Sequence, residues 1–313
     1  MRVVFMGTPE FAVPTLEELI NAGHSVVGVF TQPDKAVGRK QIITPPPVKV
    51  CATKHNIPVF QPNTLKTAEA EELIKGLNPE VVVVVAYGKI LPTNILSIAR
   101  YGSINGHASL LPRHRGASPI QWAIVCGDKK TGVTTQLMGE GIDTGDILLS
   151  EETDIKEDET AGELHDRLSV ITASLMLRTL EGVEAGSITP EKQDDELSNY
   201  APIINKEMGF LRFDKTAEEI CNLIRGFNPW PAAYFMLDLK RIKVFSAEVG
   251  KETDKAPATV VSSDGELIIA CAEGTTIKLM EIQPEGSKRM SAADYLKGHT
   301  IRVGTIINGD NVG

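Results

Sequence analysis

At 313 residues, with 42% hydrophobic and 23% charged side chains, the chain has the composition of an ordinary globular protein and more length than one average domain needs. Its net charge of −9 excludes a general polyanion binder, because nonspecific nucleic-acid affinity comes from a basic surface, and four scattered cysteines exclude a dense disulfide framework. No apolar run approaches the roughly 18 residues of a membrane span, and residues 1–5 run into Gly7 and Pro9 without a signal-peptide core, which predicts a cytoplasmic protein with reduced, buried thiols.

Residues 1–6 form an apolar run ended by Gly7, and after Pro14 the residues Leu16, Leu19 and Ile20 recur at helical spacing until Gly23. Strand, loop, helix is the pattern. It repeats as a strand at 26–30, a helix at 48–55, a short strand at 57–60 and a helix at 68–76. Residues 81–86, five valines and an alanine, are too short for a typical helix and dominated by β-branched side chains, as a parallel strand buried on both faces requires. Strands at 102–107, 132–138 and 146–152, with helices at 117–126 and 161–180, complete a doubly wound parallel α/β sheet over residues 1–183. Ligands of such sheets sit at the carboxyl ends of the strands.

Residues 184–205 are polar and aperiodic, which predicts a linker. Beyond them a helix at 216–225 and alternating runs at 241–247, 257–262, 266–271 and 276–282 predict a small β-barrel over 206–304. This part is electrically balanced, with 14 Lys plus Arg against 14 Asp plus Glu between 203 and 302, so a nucleic-acid partner is permitted by charge but not indicated by it.

Gly7 follows the first strand, yet the next glycine is Gly23, so the three-glycine pattern of a dinucleotide site is missing and a tight turn is expected instead. The chemically dense stretch is 103–119, S-I-N-G-H-A-S-L-L-P-R-H-R-G-A-S-P. Alternate side chains of an extended segment share a face, so Asn105 and His107 point the same way at the carboxyl end of a strand. Acyl transfer between nitrogens needs a donor for the oxyanion of the tetrahedral intermediate and a group that moves a proton between the attacking and leaving amines. An amide and an imidazole supply both. A third group to orient the imidazole is sought in G-I-D-T-G-D-I-L, where Asp143 and Asp146 compete.

These residues spell N-x-H-x-S-L-L-P-x-x-R-G, with Asn105, His107, Ser109, Leu110, Leu111, Pro112, Arg115 and Gly116, followed by D-T-G-D from Asp143 to Asp146. So written, the chain resembles the formyltransferases that use 10-formyltetrahydrofolate. The segments M-G-T-P-E-F-A-V-P at 6–14, T-Q-P-D-K-A-V-G-R-K at 31–40, A-Y-G-K-I-L-P at 86–92 and N-L-I-R-G-F-N-P-W-P at 222–231 are similar to the branch that formylates methionine on initiator tRNA. The likeness extends to about Gly304 and implies a Rossmann-like catalytic domain followed by an OB-like barrel that binds tRNA.

The resemblance implies that Asn105, His107 and Asp143 are catalytic. It implies a folate pocket lined by Tyr87, Gly88, Ile90, Leu91, Ser109, Leu110, Leu111, Pro112 and Gly141, with 10-formyltetrahydrofolate as formyl-donor co-substrate and no metal. It also implies that the loop at 32–47 enters the acceptor end of methionyl initiator tRNA, offering Lys35, Arg39 and Lys40, with Lys49 nearby. Basic residues on a projecting loop suit phosphates. Four features depart from the family pattern: Gly106 stands where an apolar β-former is usual, which predicts a looser strand, Lys35-Ala36 replaces the more usual Arg-Pro, Phe213 stands where tryptophan is common, and P-W-P-A at 229–232 replaces the usual P-W-P-G. The readings that compete are a sibling enzyme acting on an amino-sugar nucleotide, a formyltetrahydrofolate hydrolase, and a noncatalytic RNA-binding protein built on the barrel.

Overall fold

The computed structural model describes residues 1–38 and 40–308. They divide into two compact units, the first made of residues 1–119, 130–154 and 165–201, the second of 120–129, 155–164 and everything from 202 onward. In chain order the elements are β1 (Arg2–Gly7), α1 (Val13–Asn21), β2 (Ser25–Phe30), β3 (Lys35–Val37), β4 (Ile42–Thr44), α2 (Pro47–Lys54), β5 (Val59–Phe60), α3 (Ala68–Gly76) and β6 (Val81–Val85). Then come α4 (Thr93–Leu96), β7 (Ser103–His107), β8 (Arg115–Gly116), α5 (Pro119–Val125), β9 (Lys130–Leu137), β10 (Asp146–Asp154), α6 (Ala161–Ala185) and β11 (Tyr200–Ala201). The rest of the second unit supplies α7 (Ala217–Gly226), β12 (Ala233–Leu237), β13 (Lys240–Val249), β14 (Val260–Ser262), β15 (Leu267–Ala270), β16 (Thr276–Pro284), β17 (Met290–Ser291) and α8 (Ala292–Gly298).

The main sheet of the first unit runs β10-β9-β7-β6-β1-β2-β5, parallel from β7 to β5, with β9 and β10 added antiparallel. This is the doubly wound, Rossmann-like arrangement that the alternating elements predict. Chain order reverses between β1 and β6, so a crevice opens at their carboxyl ends, where Gly7 and Val85 lie side by side in register. All five valines of β6 are buried, as expected of a strand covered on both faces.

Gly106 carries a physical reason of its own. A Cβ built there would stand 2.7 Å from Thr172 Cγ2 and 3.4 Å from Met176 Cε, both on α6. Helix and strand therefore approach closely because the side chain is missing. The expectation of a looser strand is corrected, since β7 stays in register with β9 through Gly106↔Thr135 and the space above the glycine is filled.

The second unit is an antiparallel sheet ordered β12-β13-β16-β15-β14, with β17 added to β16. Bulges between Val244 and Ala247 curl it around one core, in which Phe213 meets Phe235 edge-on at a ring separation of 6.3 Å. Among the described residues its edges β12 and β14 do not pair, so the OB-like domain is a half-barrel rather than a closed one. Phe213 is a core residue. α7 begins in a capping box, Thr216 accepting from the Glu219 N–H while the Glu219 carboxylate accepts from the Thr216 N–H. Residues 120–129 belong to this unit: a Cβ on Gly226 would stand 2.6 Å from Val125 Cγ2. Of the cysteines, Cys51 and Cys271 are buried and Cys221 half-buried, whereas Cys126 is exposed, contrary to the expectation of four buried thiols. Among the described residues no helix is long and apolar enough to cross a membrane.

Candidate active site

β7 brings Asn105 and His107 to its carboxyl end, 9% and 6% exposed. The loop between β9 and β10 delivers Asp143, whose backbone turns through a positive φ of 52°. One carboxylate oxygen, Oδ1, lies 3.4 Å from Asn105 Nδ2, 3.6 Å from His107 Nδ1 and 3.0 Å from Gln136 Nε2; the other accepts the Gly116 N–H at 2.9 Å. The three residues expected to act together do meet. Asp146, the rival carboxylate, opens β10 opposite Leu137.

His107 Nε2 stands 2.9 Å from the His114 carbonyl oxygen. A carbonyl only accepts, so Nε2 carries the proton and Nδ1, facing Asp143, is the nitrogen left for chemistry. This assignment follows from the acceptor at Nε2.

Three further groups hold the loops that carry these residues, and local sequence pattern identified none of them. Gln193 Nε2 donates to the carbonyls of Asp143 and Gly145 at 2.8 and 2.7 Å, and its Oε1 accepts from Arg115 Nε and Nη2 at 3.0 and 2.8 Å. Arg115 Nη2 also meets Asp195 Oδ1 at 2.8 Å. Asn199 accepts the His114 N–H through Oδ1 and the Arg115 N–H through its carbonyl. β11 then pairs with β8 in parallel. The polar stretch after α6 thus runs along the catalytic loops up to Ala201, and its polarity goes into hydrogen bonds with them.

The residues expected around the folate fall into two groups. Ser109, Leu111, Tyr87 and Leu91 are buried. Ser109 Oγ donates to the Arg113 carbonyl at 2.6 Å and the Leu111 N–H donates to Thr134 Oγ1 at 3.0 Å, so these two shape the S-L-L-P turn. The Tyr87 side chain lies in the core among Val4, Met6, Phe30 and Leu65, its hydroxyl without a hydrogen-bond partner among the described residues and its pKa pushed by burial to about 12. Only its carbonyl faces the crevice loops, accepting from Thr8 Oγ1 at 2.9 Å and Gln32 Nε2 at 3.2 Å. Thr8 and Gln32, at the ends of β1 and β2, went unnoticed because nothing in their local pattern distinguishes them from turn residues. Gly88, Ile90 and Gly141 are exposed, while Leu110 and Pro112 are half-buried. Gly141 has its own constraint, because a Cβ there would stand 2.2 Å from Thr144 Oγ1.

β3 and β4 form a hairpin inside the loop expected to meet tRNA. Lys35 and Lys40 are exposed on it, together with Val37, Ile42 and Ile43; Arg39 lies outside the described residues. Lys49 is not offered to solvent in the same way. It sits on α2, bonded to Asp34 at 2.8 Å and Gln61 at 2.9 Å, and that lysine, followed by Gln61, holds the Asp34 carboxyl below its ordinary range. Among the described residues one set of metal-capable atoms converges, from Glu17, Cys51 and His55 on and beside α1 and α2, all within 4.8 Å of one another. Burial, then Glu17, pushes the Cys51 thiol up to about 11, and the reaction proposed below draws on none of the three.

A mostly parallel sheet with an amide, an imidazole and a carboxylate meeting at its carboxyl edge, joined to an antiparallel half-barrel, defines a two-domain acyl-transfer enzyme. The chain belongs to the formyl transferase family: residues 1–180 match the model described as "Formyl transferase" and residues 203–300 its C-terminal domain. It is 48% identical over 308 residues, 98% of this chain and 96% of the other, to the methionyl-tRNA formyltransferase of Citrifermentans bemidjiense. It is 46% identical over 312 residues, 99% of this chain and 98% of the other, to that of Bacillus subtilis. Among solved structures, an N-formyltransferase from Helicobacter canadensis, in complex with folinic acid and dTDP-3-aminofucose, shares the fold at a TM-score of 0.68 and 20% identity, over 91% of this chain and 99% of that one.

Proposed function

We propose that this protein, acting in the cytoplasm, transfers the formyl group of 10-formyltetrahydrofolate to the amino group of methionine on initiator tRNA. The observation that carries the reading is the meeting of Asn105, His107 and Asp143 at the carboxyl end of β7, in a chain similar over almost its whole length to methionyl-tRNA formyltransferases.

The donor supplies a formyl carbon bound to nitrogen. The protein's part is to steady charge and move one proton. Asn105 Nδ2 has only a long bond, 3.4 Å, to Asp143, so its second N–H is available to the oxygen that turns negative as the amine attacks. With Nε2–H committed to the His114 carbonyl, His107 works through Nδ1, donating to that oxygen as imidazolium while Asp143 steadies the positive ring. Asp143 takes the proton lost by the attacking nitrogen. Collapse breaks the bond from carbon to the folate nitrogen, which receives the proton that Asp143 took from the amine, so Asp143 is again ionised and no covalent enzyme intermediate forms.

We assign the folate to the crevice bordered by residues 86–92 and the loop around Asp143. The acceptor end of the tRNA falls to the β3–β4 hairpin with Lys35 and Lys40, and further tRNA binding to the C-terminal domain, residues 206–304. The hairpin suits this because it pairs cations for phosphate with an exposed apolar edge for bases.

The test is transfer of labelled formyl to methionyl initiator tRNA beside elongator methionyl-tRNA, uncharged tRNA and an amino-sugar nucleotide. Label confined to the charged initiator is expected. Label on the sugar nucleotide, or release as formate with no transfer, overturns the reading.

A further inference from the structure

We propose that Gln136 is a positioning residue of the reaction, holding the Asp143 carboxylate against His107 and Asn105. Its place comes from the sheet. Gln136 on β9 lies directly opposite Asn105 on β7, so their side chains rise on the same face of the sheet, and it is 1% exposed. From there its amide has two partners on the same loop. Nε2 donates to Asp143 Oδ1 at 3.0 Å, and Oε1 accepts the Gly145 N–H at 3.1 Å. One side chain therefore fixes both the reacting carboxylate and the backbone two residues beyond it.

The loop needs such a hold. Asp143 is a non-glycine residue at φ 52°, a conformation that costs on the order of 1 kcal/mol or more and persists only where surroundings impose it. Gly116 N–H and Gln193 bear on other atoms of the loop, Oδ2 and two carbonyls. At Oδ1, the oxygen nearest His107, Gln136 is the closest donor, and the Asn105 bond is longer by 0.4 Å (3.4 against 3.0 Å). Removing Gln136 frees Oδ1 to leave the imidazole without deleting any group that itself meets substrate.

Among the described residues, the titratable groups seen in contact with this carboxylate are His107 from β7 and Asp143 itself; Asn105, Gln136 and the Gly116 N–H are neutral, and Arg115 is engaged by Gln193 and Asp195. Gln136→Glu keeps an oxygen for the Gly145 N–H but turns a carboxylate toward Asp143. Two carboxylates at hydrogen-bond distance share a proton, so the ionised form is reached only at higher pH.

The inference rests on the role given to Asp143, and the experiment includes Asp143→Asn to keep the two apart. Steady-state formyl transfer is measured from pH 5 to 9 for wild type, Gln136→Leu, Gln136→Glu and Asp143→Asn. Gln136→Leu is expected to lower kcat about 10- to 100-fold, the loss of a hydrogen bond to a charged group, with KM for donor and tRNA within about twofold of wild type. In Gln136→Glu the acid limb of the rate profile is expected to move up by about one pH unit or more, a change that a merely structural role would not produce. If Asp143→Asn loses activity while Gln136→Leu keeps kcat within about twofold and the Gln136→Glu profile superimposes on wild type, the proposal is overturned and the function stands. Full activity in Asp143→Asn overturns both.

Discussion

Gly106→Ala is expected to destabilise the protein, although alanine is intrinsically the better strand residue. A glycine in a strand costs about 0.5–1 kcal/mol of extra chain entropy, so alanine starts with that much in its favour. Against this stands the approach of α6. The new Cβ would lie 2.7 Å from Thr172 Cγ2, where carbon pairs prefer about 3.5–4.0 Å. Met176, the next neighbour at 3.4 Å, is flexible and can turn aside. Thr172 cannot, because it is buried and its hydroxyl donates to the Leu168 carbonyl at 2.7 Å, which fixes the direction of its methyl.

Overpacking of this kind costs about 1–3 kcal/mol, leaving a net loss of roughly 0–2.5 kcal/mol, or a Tm lower by up to about 10 °C. Thr172→Ser removes the offending methyl and keeps the hydroxyl; alone it should cost about 1 kcal/mol for the void. Combined, the two changes fill one another's space, and the double variant should return to or exceed the wild-type Tm. Scanning calorimetry of the four proteins decides it. A higher Tm for Gly106→Ala alone, or two effects that simply add, would refute the argument that the glycine exists for the helix.

Lys35→Ala with Lys40→Ala should raise KM for tRNA, leave kcat unchanged and reduce the slope of log affinity against log salt by about 0.7–0.9 for each phosphate no longer neutralised; Lys49→Ala should leave that slope alone, because its ammonium is engaged by Asp34. A slope unchanged in the double variant would remove the hairpin from the tRNA site. Gln193→Leu deletes the donor to the Asp143 and Gly145 carbonyls and the acceptor for Arg115. Single-turnover rates should fall about tenfold or more, and a wild-type rate would show that Gln136 and Gly116 suffice. Alkylation of the native protein at pH 8, read by mass spectrometry, should modify exposed Cys126 first. Burial pushes Cys51 and Cys221 to about 11 and Cys271 to about 12, which keeps them as unreactive thiols. Equal modification of Cys271 would contradict its burial.

What could be read from the sequence was whatever periodicity or a dense motif records. The valine run at 81–85 identified the sheet centre because burial on both faces leaves only one composition open to it. Asn105 and His107 were legible as a pair because strand alternation alone puts i and i+2 on one face, whereas the residues left Asp143 and Asp146 in competition and only the family resemblance chose Asp143. The β3–β4 hairpin was missed: Val37, Ile42 and Ile43 are exposed, so no core stripe betrays it. Strand β12, Ala233–Leu237, and helix α8, Ala292–Gly298, were not read from the sequence either. Gln136, Gln193 and Asn199 could not have been found, since an amide's partners across 7, 50 or 85 residues leave no local trace. Gly106 was read as a loss of rigidity because its compensating neighbour, Thr172, is 66 positions away on another element.

The second unit is assembled from three separate stretches of chain, 120–129, 155–164 and the whole of the sequence from 202, and this has a consequence for synthesis. The first two stretches leave the ribosome long before the third. Val125 is therefore made long before Gly226, against which it packs closely, while the carbonyls of Lys156 and Glu159 wait for the guanidinium of Arg225, and Trp122 Nε1 for the Pro202 carbonyl. At about 5–20 residues per second the interval is several seconds, during which these groups are without the partners they meet in the folded unit. The second unit therefore closes only after synthesis has passed α7, however early its first stretch, α5, was made.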